Sequence, residues 1–295
     1  MATASIVGWI AAYANLCLKG RPVNFVYALD MVILSLLLAI LGLIAVIGVR
    51  LRKHLWQMQA LLNRGPARSI DLEALHDKLA KHISTTTAEA VIAIQSAGAL
   101  NQLGLPFPVF LGDASLDAFM ARALVGTLLE HKPRVVMELG SGSSTPLIAR
   151  TLLMLGVPDV LHLSVDHEAH YLELSRRLAS VTGIADRVNF VHAALDVDAE
   201  DGLLWYAGLP EKLAGSTIDF LFIDGPPAHR PGTGAARYPA LPRLLPYLSP
   251  SCVVLLDDAN REGERDVVRR WLAEFPEFSA ATATRGKGYV LLTRR

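Results

Sequence analysis

Hydrophobic positions follow two different patterns along the chain. From Met31 to Val49 every residue is uncharged and none is proline. Roughly 19 residues at about 1.5 Å each would span about 28 Å, close to the thickness of a bilayer core. A secretory signal has a shorter apolar run that begins nearer the N-terminus, whereas this run starts late and is followed by Arg50, Arg52 and Lys53. We therefore expect a transmembrane helix over residues 31–49.

The charges on either side of this segment predict its orientation. Basic residues are concentrated after Val49, while Lys19 and Arg21 before it are partly offset by Asp30. The positive-inside rule then places the C-terminal part in the cytoplasm, at the inner (cytoplasmic) membrane. Residues 1–30 are expected to form an apolar interfacial segment, with a two-helix hairpin as the alternative. Small residues within the span would permit a homo-oligomer through this helix.

Residues 50–109 read as a helical juxtamembrane region. Helical periodicity over 71–82 and 86–103 predicts two helices, with Ser84 as a cap of the second. Ser115 is expected to cap a further helix that ends near His131.

From Lys132 the pattern changes to alternating strands and helices, which predicts an α/β domain over residues 110–295. Short runs rich in Val, Leu, Ile and Phe are typical of parallel strands buried on both faces. The predicted strands are residues 134–139, 160–166, 188–193, 218–224, 252–257, 278–284 and 289–293; the helices between them are 145–155, 168–182, 238–248 and 262–275. We expect a Rossmann-like, doubly wound parallel sheet that ends in an antiparallel hairpin.

Composition narrows the classes of function. The 28 basic and 28 acidic residues balance, which argues against nucleic acid as a partner. A hydrophobic content of 52% excludes a disordered chain and is consistent with a membrane segment. The two cysteines, Cys17 and Cys252, are far apart and near no histidine cluster, so neither a disulfide framework nor a zinc site is expected.

The first predicted strand ends in Glu138-Leu-Gly140-Ser141-Gly142, and a helix follows. Glycines allow a ligand to approach the backbone, and the helix N-terminus offers free N–H groups. Asp166 ends the second strand, where a carboxylate can accept hydrogen bonds from ribose hydroxyls; alternatively, it caps the next helix.

Two kinds of cofactor are compatible with a glycine turn at this position, a nicotinamide dinucleotide and a cationic sulfonium compound. A nicotinamide dinucleotide needs a third small residue in the fingerprint, but Thr145 occupies that position. Glu138 would repel a pyrophosphate and attract a cationic sulfonium ligand. The chain also lacks a Tyr-x-x-x-Lys pair, so an NAD(P)-dependent oxidoreductase is the less favoured alternative.

These residues resemble the motifs of class I S-adenosylmethionine (SAM)-dependent methyltransferases. The resemblance covers about residues 110–295 and includes Asp219-x-x-x-x-Asp224-Gly-Pro and the terminal hairpin. The motifs ELGSGSST, IDGPP and LLDDANREGE are similar to those of a bacterial group that is often membrane-associated. The resemblance implies that SAM is the cofactor and assigns its contacts to Glu138, Gly140, Ser141, Gly142, Asp166 and Ala194.

Candidate catalytic residues follow the fourth and fifth parallel strands. Asp224 and Asp257 end these strands and would converge at one edge of the sheet. Clustered carboxylates raise one another's pKa, so one of them can act as a base. Alternatively, Asp224, Asp257 and Asn260 would bind Mg²⁺, as their partial match to catechol-type O-methyltransferases implies.

The long loop over residues 226–238 carries further candidates. His229 is either a catalytic base or a solvated loop histidine. Arg230 and Arg237 either recognise an anionic group on the substrate or have a plain surface role.

The function expected from the sequence is a membrane-anchored methyltransferase. It would transfer a methyl group from SAM to a hydroxyl-bearing acceptor, either a small molecule or a lipid-linked one, at the membrane. The alternative from another class is a non-catalytic, methyltransferase-like interaction module in a membrane complex.

Overall fold

A computed structural model describes residues 47–59, 72–105, 111–112, 115–198, 202–209, 213, 215–228 and 233–295. The chain divides into two compact units, Met1–Asp77 and Lys78–Arg295. The predicted membrane segment lies outside the described residues except for 47–49, which begin helix α1 over residues 47–59. Within the described ranges, no helix combines the length and the apolar character needed to cross a bilayer.

The next helix, α2, is one continuous helix over Leu72–Leu100, where the sequence predicted two. Ser84 lies inside it, so its predicted role as a cap is wrong. The helix contains no proline, and Gly98, its one glycine, lies near its C-terminal end. The Thr85 hydroxyl donates to the Lys81 carbonyl one turn earlier at 2.9 Å. This bond satisfies a polar side chain without ending the helix.

Helix α3 covers Ala118–His131, and Asp117 rather than Ser115 caps it. One Asp117 carboxylate oxygen accepts from the Met120 backbone N–H at 2.8 Å. The other accepts from the backbone N–H of Lys287, in the last hairpin, at 2.6 Å. A carboxylate can serve both donors, whereas a serine two residues earlier is out of register with the first turn.

A seven-stranded sheet forms the centre of the domain, in the order β3-β2-β1-β6-β7-β9-β8. Its strands are β1 (Val135–Leu139), β2 (Leu161–Asp166), β3 (Asn189–His192), β6 (Ile218–Ile223), β7 (Leu248–Asp257), β8 (Phe278–Ala283) and β9 (Tyr289–Arg294). Strands β3, β2, β1, β6 and β7 are parallel, and β9 and β8 complete the sheet antiparallel. The predicted parallel sheet with a terminal hairpin is confirmed.

The remaining helices connect the strands. They are α4 (Ser144–Leu155), α5 (Ala169–Val181), α6 (Ala240–Leu244) and α7 (Glu262–Glu274). Helix α6 is shorter than predicted and continues as a 3₁₀ turn over Leu245–Tyr247. Pro246 lies in that turn, and proline cannot donate the backbone bond that would continue an α-helix.

A small hairpin, β4 (Leu195–Val197) paired with β5 (Leu204–Tyr206), was not predicted. Each strand has only three residues, too few for alternation to stand out from the surrounding loop.

Both faces of the large sheet are buried along β1, β2 and β6. Val136 and Phe220 contribute to one apolar cluster, while their neighbours Met137 and Leu221 contribute to the other. Because successive side chains point to opposite faces of a sheet, a strand covered on both sides is apolar at most of its positions. Because β1, β2, β6 and β7 are parallel, their carboxyl ends lie at one edge of the sheet.

Candidate functional site

At this edge the turns after β1 and β6 approach each other closely. Gly140 has φ +98°, and a Cβ there would lie 3.0 Å from the Asp224 carbonyl carbon. A Cβ at Gly225 would lie 2.6 Å from the Tyr206 hydroxyl oxygen. Both positions therefore require glycine, because backbone and side-chain atoms already fill the space that a side chain would need.

Gly142 differs from these two glycines, since a Cβ there would meet nothing within 4 Å. The free space belongs to a cavity of about 490 Å³ at the carboxyl ends of the strands. The cavity walls include Ser141, Gly142, Asp166, Tyr206, Asp224 and Lys287. The sequence prediction that Gly140, Ser141, Gly142, Asp166 and Asp224 face one site agrees with this geometry.

Glu138 supports the turn from below. Its side chain is fully buried, and its carboxylate accepts from the hydroxyls of Ser144 at 2.8 Å and Thr145 at 2.5 Å. His162 Nε2 lies 3.4 Å from the same carboxylate. Glu138 is not among the residues that line the cavity, so it fixes the start of α4 instead of facing the ligand space.

Asp166 combines the two roles that the sequence left open. One carboxylate oxygen accepts from the Glu168 N–H at 2.8 Å, at the start of α5. The other accepts from the Ser141 N–H at 2.9 Å, in the glycine turn. Burial raises the pKa of Asp166. The carboxylate thus joins β2 to the turn after β1 while remaining on the cavity wall.

A buried arginine organises the acidic residues at the ends of β6 and β7. The Arg237 side chain is 3% exposed, and its Nη2 lies 3.0 Å from Asp224 Oδ1 and 3.1 Å from Asp258 Oδ2. It also donates to the backbone carbonyls of Asp224, Asp257 and Pro226. Arg237 therefore does not have the plain surface role that the sequence left open. The residue lines the cavity, but its guanidinium is bonded to carboxylates and carbonyls of the protein instead of being free for an anionic group of a substrate.

Asp224 and Asp258 both line the cavity, and Asp224 is the more exposed of the two, with side-chain exposures of 26% and 6%. Burial raises the pKa of Asp224 to about 6. The charge of Arg237 opposes this rise, and the charge of Asp258 adds to it. Burial also raises the pKa of Asp257 well above its ordinary value. Asp257 is 1% exposed and accepts from the Asp258 N–H at 2.7 Å, so it supports its neighbour from inside the fold.

The predicted magnesium ligands do not form an open cation site. Ligand atoms of Asp224, Asp257 and Asp258 lie within 4.8 Å of one another, but Arg237 already contacts two of these carboxylates. Asn260 donates through its amide to the carbonyls of Thr284 at 2.7 Å and Gly286 at 3.1 Å, in the last hairpin. Mg²⁺ needs closely spaced oxygen ligands around a free centre. The arrangement therefore fits Arg237, rather than Mg²⁺, as the cation of this cluster.

Ala194, which the resemblance assigned to the cofactor, stands apart from the cavity. Ala194 is exposed, is not among the lining residues, and its carbonyl accepts from the Ala207 N–H at 2.8 Å. His229 lies outside the described residues, so its role as a base stays a prediction.

Sequence reasoning missed several lining residues, among them Tyr206, Arg261 and Lys287. Tyr206 comes from the unpredicted small hairpin, and Lys287 from the turn of the last hairpin. No local motif marks either residue, because chain segments distant in sequence bring them to the cavity.

We expect Arg237→Met to lower the free energy of unfolding by about 3–5 kcal/mol, because it leaves buried carboxylates without their cation. The measurement is urea unfolding at pH 7. Arg269→Met is the matched control, since that arginine is 75% exposed in its ion pair and should change stability by less than about 1 kcal/mol. Equal small losses in both variants would contradict the structural role of Arg237.

Comparison with known proteins supports a methyltransferase. Residues 137–259 match a family model described as a methyltransferase domain. No curated protein matches the chain in sequence.

Three solved structures illustrate the similarity in fold. An O-methyltransferase from Bacillus cereus in complex with S-adenosylhomocysteine (SAH) is 18% identical, covers 68% of this chain and 91% of its own, and gives a TM-score of 0.48. An O-methyltransferase from Streptomyces achromogenes, involved in tomaymycin synthesis and in complex with SAM, is 17% identical. It covers 68% of this chain and 88% of its own, with a TM-score of 0.45. An SAH-bound methyltransferase from Podospora anserina is 13% identical, covers 78% of this chain and 99% of its own, and gives a TM-score of 0.48. At these identities and TM-scores the likenesses assign no substrate to this chain.

Proposed function

We propose that the chain is a SAM-dependent methyltransferase that methylates an oxygen of a hydroxyl-bearing acceptor. The observation that carries the proposal is a single cavity with an open glycine at one wall and an acidic group of raised pKa at the other. Gly142 leaves room for a ligand, and Asp224 lines the same cavity with a pKa of about 6.

The cavity fits the parts of SAM. The first turn of α4 has no side-chain cap, so its backbone N–H groups are available to the carboxylate of the methionine part. Asp166 presents a carboxylate towards ribose hydroxyls. When bound, SAM supplies a methyl group activated by its sulfonium. Glu138 contributes indirectly, by holding the hydroxyls of Ser144 and Thr145 under the turn.

Asp224 is the residue suited to receive a proton from the acceptor hydroxyl. With a pKa of about 6, it is mostly ionised at pH 7 and still basic enough to share the proton. Arg237 holds one of its oxygens at 3.0 Å, which fixes the direction of the carboxylate. Asp257, buried behind this pair, positions Asp258 and does not touch the acceptor in this proposal.

The second part of the proposal concerns location. The uncharged segment 31–49 and the basic residues after it support an anchor in the inner membrane with the methyltransferase domain in the cytoplasm. An acceptor at the membrane follows from such an anchor, either a lipid-linked molecule or a small molecule that partitions there. Homo-oligomers through the anchor belong to the same proposal.

Binding experiments on the full chain in detergent test the cofactor. We expect calorimetry to detect SAH and to give no heat with NAD. Gly142→Ala should bind SAH at least about tenfold more weakly, the equivalent of about 1.4 kcal/mol, because the new methyl group enters ligand space. Its thermal midpoint should stay near that of the wild type, since the free protein has room for it. Gly140→Ala is the contrast and should lower the midpoint. Binding of NAD, or unchanged SAH affinity in Gly142→Ala, would contradict the assignment.

Transfer of labelled methyl groups tests the acceptor and the base. The chain is incubated with labelled SAM and with either the membrane or the soluble fraction of a cell extract; we expect label in the membrane fraction. The rate should rise with pH through about 6, because Asp224 must lose its proton to accept another. Asp224→Asn should reduce the rate by about 10²–10⁴-fold, while Asp266→Asn, on the exposed face of α7, keeps it.

Each other outcome of this assay has a distinct meaning. Label in the soluble fraction alone would contradict a membrane acceptor. An Asp224→Asn variant as fast as the wild type would contradict the assignment of Asp224 as the base. SAH binding with no label in either fraction would favour the non-catalytic interaction module.

Topology is tested by protease treatment. Protease added outside intact spheroplasts should leave the domain beyond residue 78 uncut, while the same protease should digest it in inverted membrane vesicles. Digestion of the domain by protease added outside would contradict the predicted orientation.

A further inference from the structure

Tyr206 is a lining residue of the cavity, and its hydroxyl oxygen is buried. Its side chain is 1% exposed, and its hydroxyl oxygen has no hydrogen-bond partner in the described part of the chain. Buried hydroxyls without a partner are costly to a folded protein, so a hydroxyl at a cavity wall points to a bond that forms when the cavity is filled.

The position of the hydroxyl is set by several elements together. Tyr206 pairs with Leu195 in the small hairpin, and its ring packs edge-on against Trp205 with centroids 5.2 Å apart. The oxygen lies where a Cβ of Gly225 would approach to 2.6 Å. The absence of a side chain at 225 therefore makes room for the tyrosine hydroxyl at the meeting point of the turns after β1 and β6.

The surroundings decide whether the hydroxyl donates or accepts. Burial, followed by the carboxylates of Asp166 and Asp224, raises the pKa of Tyr206, so the group keeps its proton. It is hydrogen-bonded to neither carboxylate. An O–H beside two groups that only accept has a proton to donate, and the missing partner is an acceptor atom on a ligand.

We propose that Tyr206 Oη donates a hydrogen bond to a ribose hydroxyl of the bound nucleoside, while that hydroxyl donates its own proton to Asp166. A hydroxyl both accepts and donates, which matches the Tyr206 donor and the Asp166 carboxylate. An ether or carbonyl oxygen would satisfy Tyr206 but has no proton to donate to the Asp166 carboxylate, whose oxygens can each accept a bond beyond those from the Ser141 and Glu168 N–H groups. The inference rests on the proposed function, because it takes the ligand to be SAM or SAH.

Opposite effects on stability and binding distinguish this role from a structural one. A hydroxyl bonded inside the fold lowers the thermal midpoint when it is removed. The Tyr206 hydroxyl has no such bond among the described residues, so Tyr206→Phe should keep or raise the midpoint of the free protein and weaken only the complex.

The experiment uses the full chain and three probes: SAH, 2′-deoxy-SAH and 3′-deoxy-SAH. We expect Tyr206→Phe to bind SAH about 3- to 10-fold more weakly, as for the loss of one neutral hydrogen bond. The wild type should bind one of the deoxy analogues more weakly than SAH. Tyr206→Phe should show a smaller difference between SAH and that same analogue, because the partner of the missing hydroxyl is already gone.

Tyr247→Phe is the matched control, since it removes the same atom from a tyrosine in the 3₁₀ turn after α6, outside the lining residues. It should bind all three probes as the wild type does. Unchanged SAH affinity in Tyr206→Phe would overturn the inference, as would an equal loss for SAH and both analogues. Failure of the wild type to bind SAH would instead overturn the proposed function, and the inference with it.

Discussion

The buried guanidinium of Arg237 holds together the two strand ends on which the acidic chemistry of the cavity depends. It contacts carboxylates and backbone carbonyls at the ends of both β6 and β7. Without a cation there, Asp224 and Asp258 would repel each other inside the protein, and ionised carboxylates would be costly to bury. With it, Asp224 stays in one direction and keeps a face on the cavity.

Carboxylates at the ends of strands hold the turns around the cavity in place. Glu138 holds the first turn of α4 through two hydroxyls, and Asp166 links the glycine turn to the start of α5. In each case a carboxylate at the end of a parallel strand accepts from the next loop or helix. The turns that face the ligand space are thereby fixed before a ligand arrives, which reduces the ordering cost of binding. Tyr206, held by its own hairpin, adds a hydroxyl donor to the residues that line the cavity.

The parallel sheet, its terminal hairpin and the residues at the strand ends could be predicted because their signals are local. Apolar runs of strand length mark β1, β2, β6 and β7, and parallel strands bring their carboxyl ends to one edge. Gly140, Gly142, Asp166 and Asp224 were found in this way. The helix signals were weaker, since a short polar stretch looked like a break in α2 and Ser115 looked like a cap.

The sequence alone determined the succession of strands and helices and which residues end each parallel strand, because periodicity and strand ends are properties of neighbouring residues. Tertiary structure alone decided the partners of those residues. Arg237 turned inward, since the ends of β6 and β7 place carboxylates and carbonyls around it, and Asn260 turned to the last hairpin. Tyr206 reached the cavity through a hairpin of three-residue strands. Such contacts depend on distances between segments far apart in the chain, and no local pattern of residues encodes those distances.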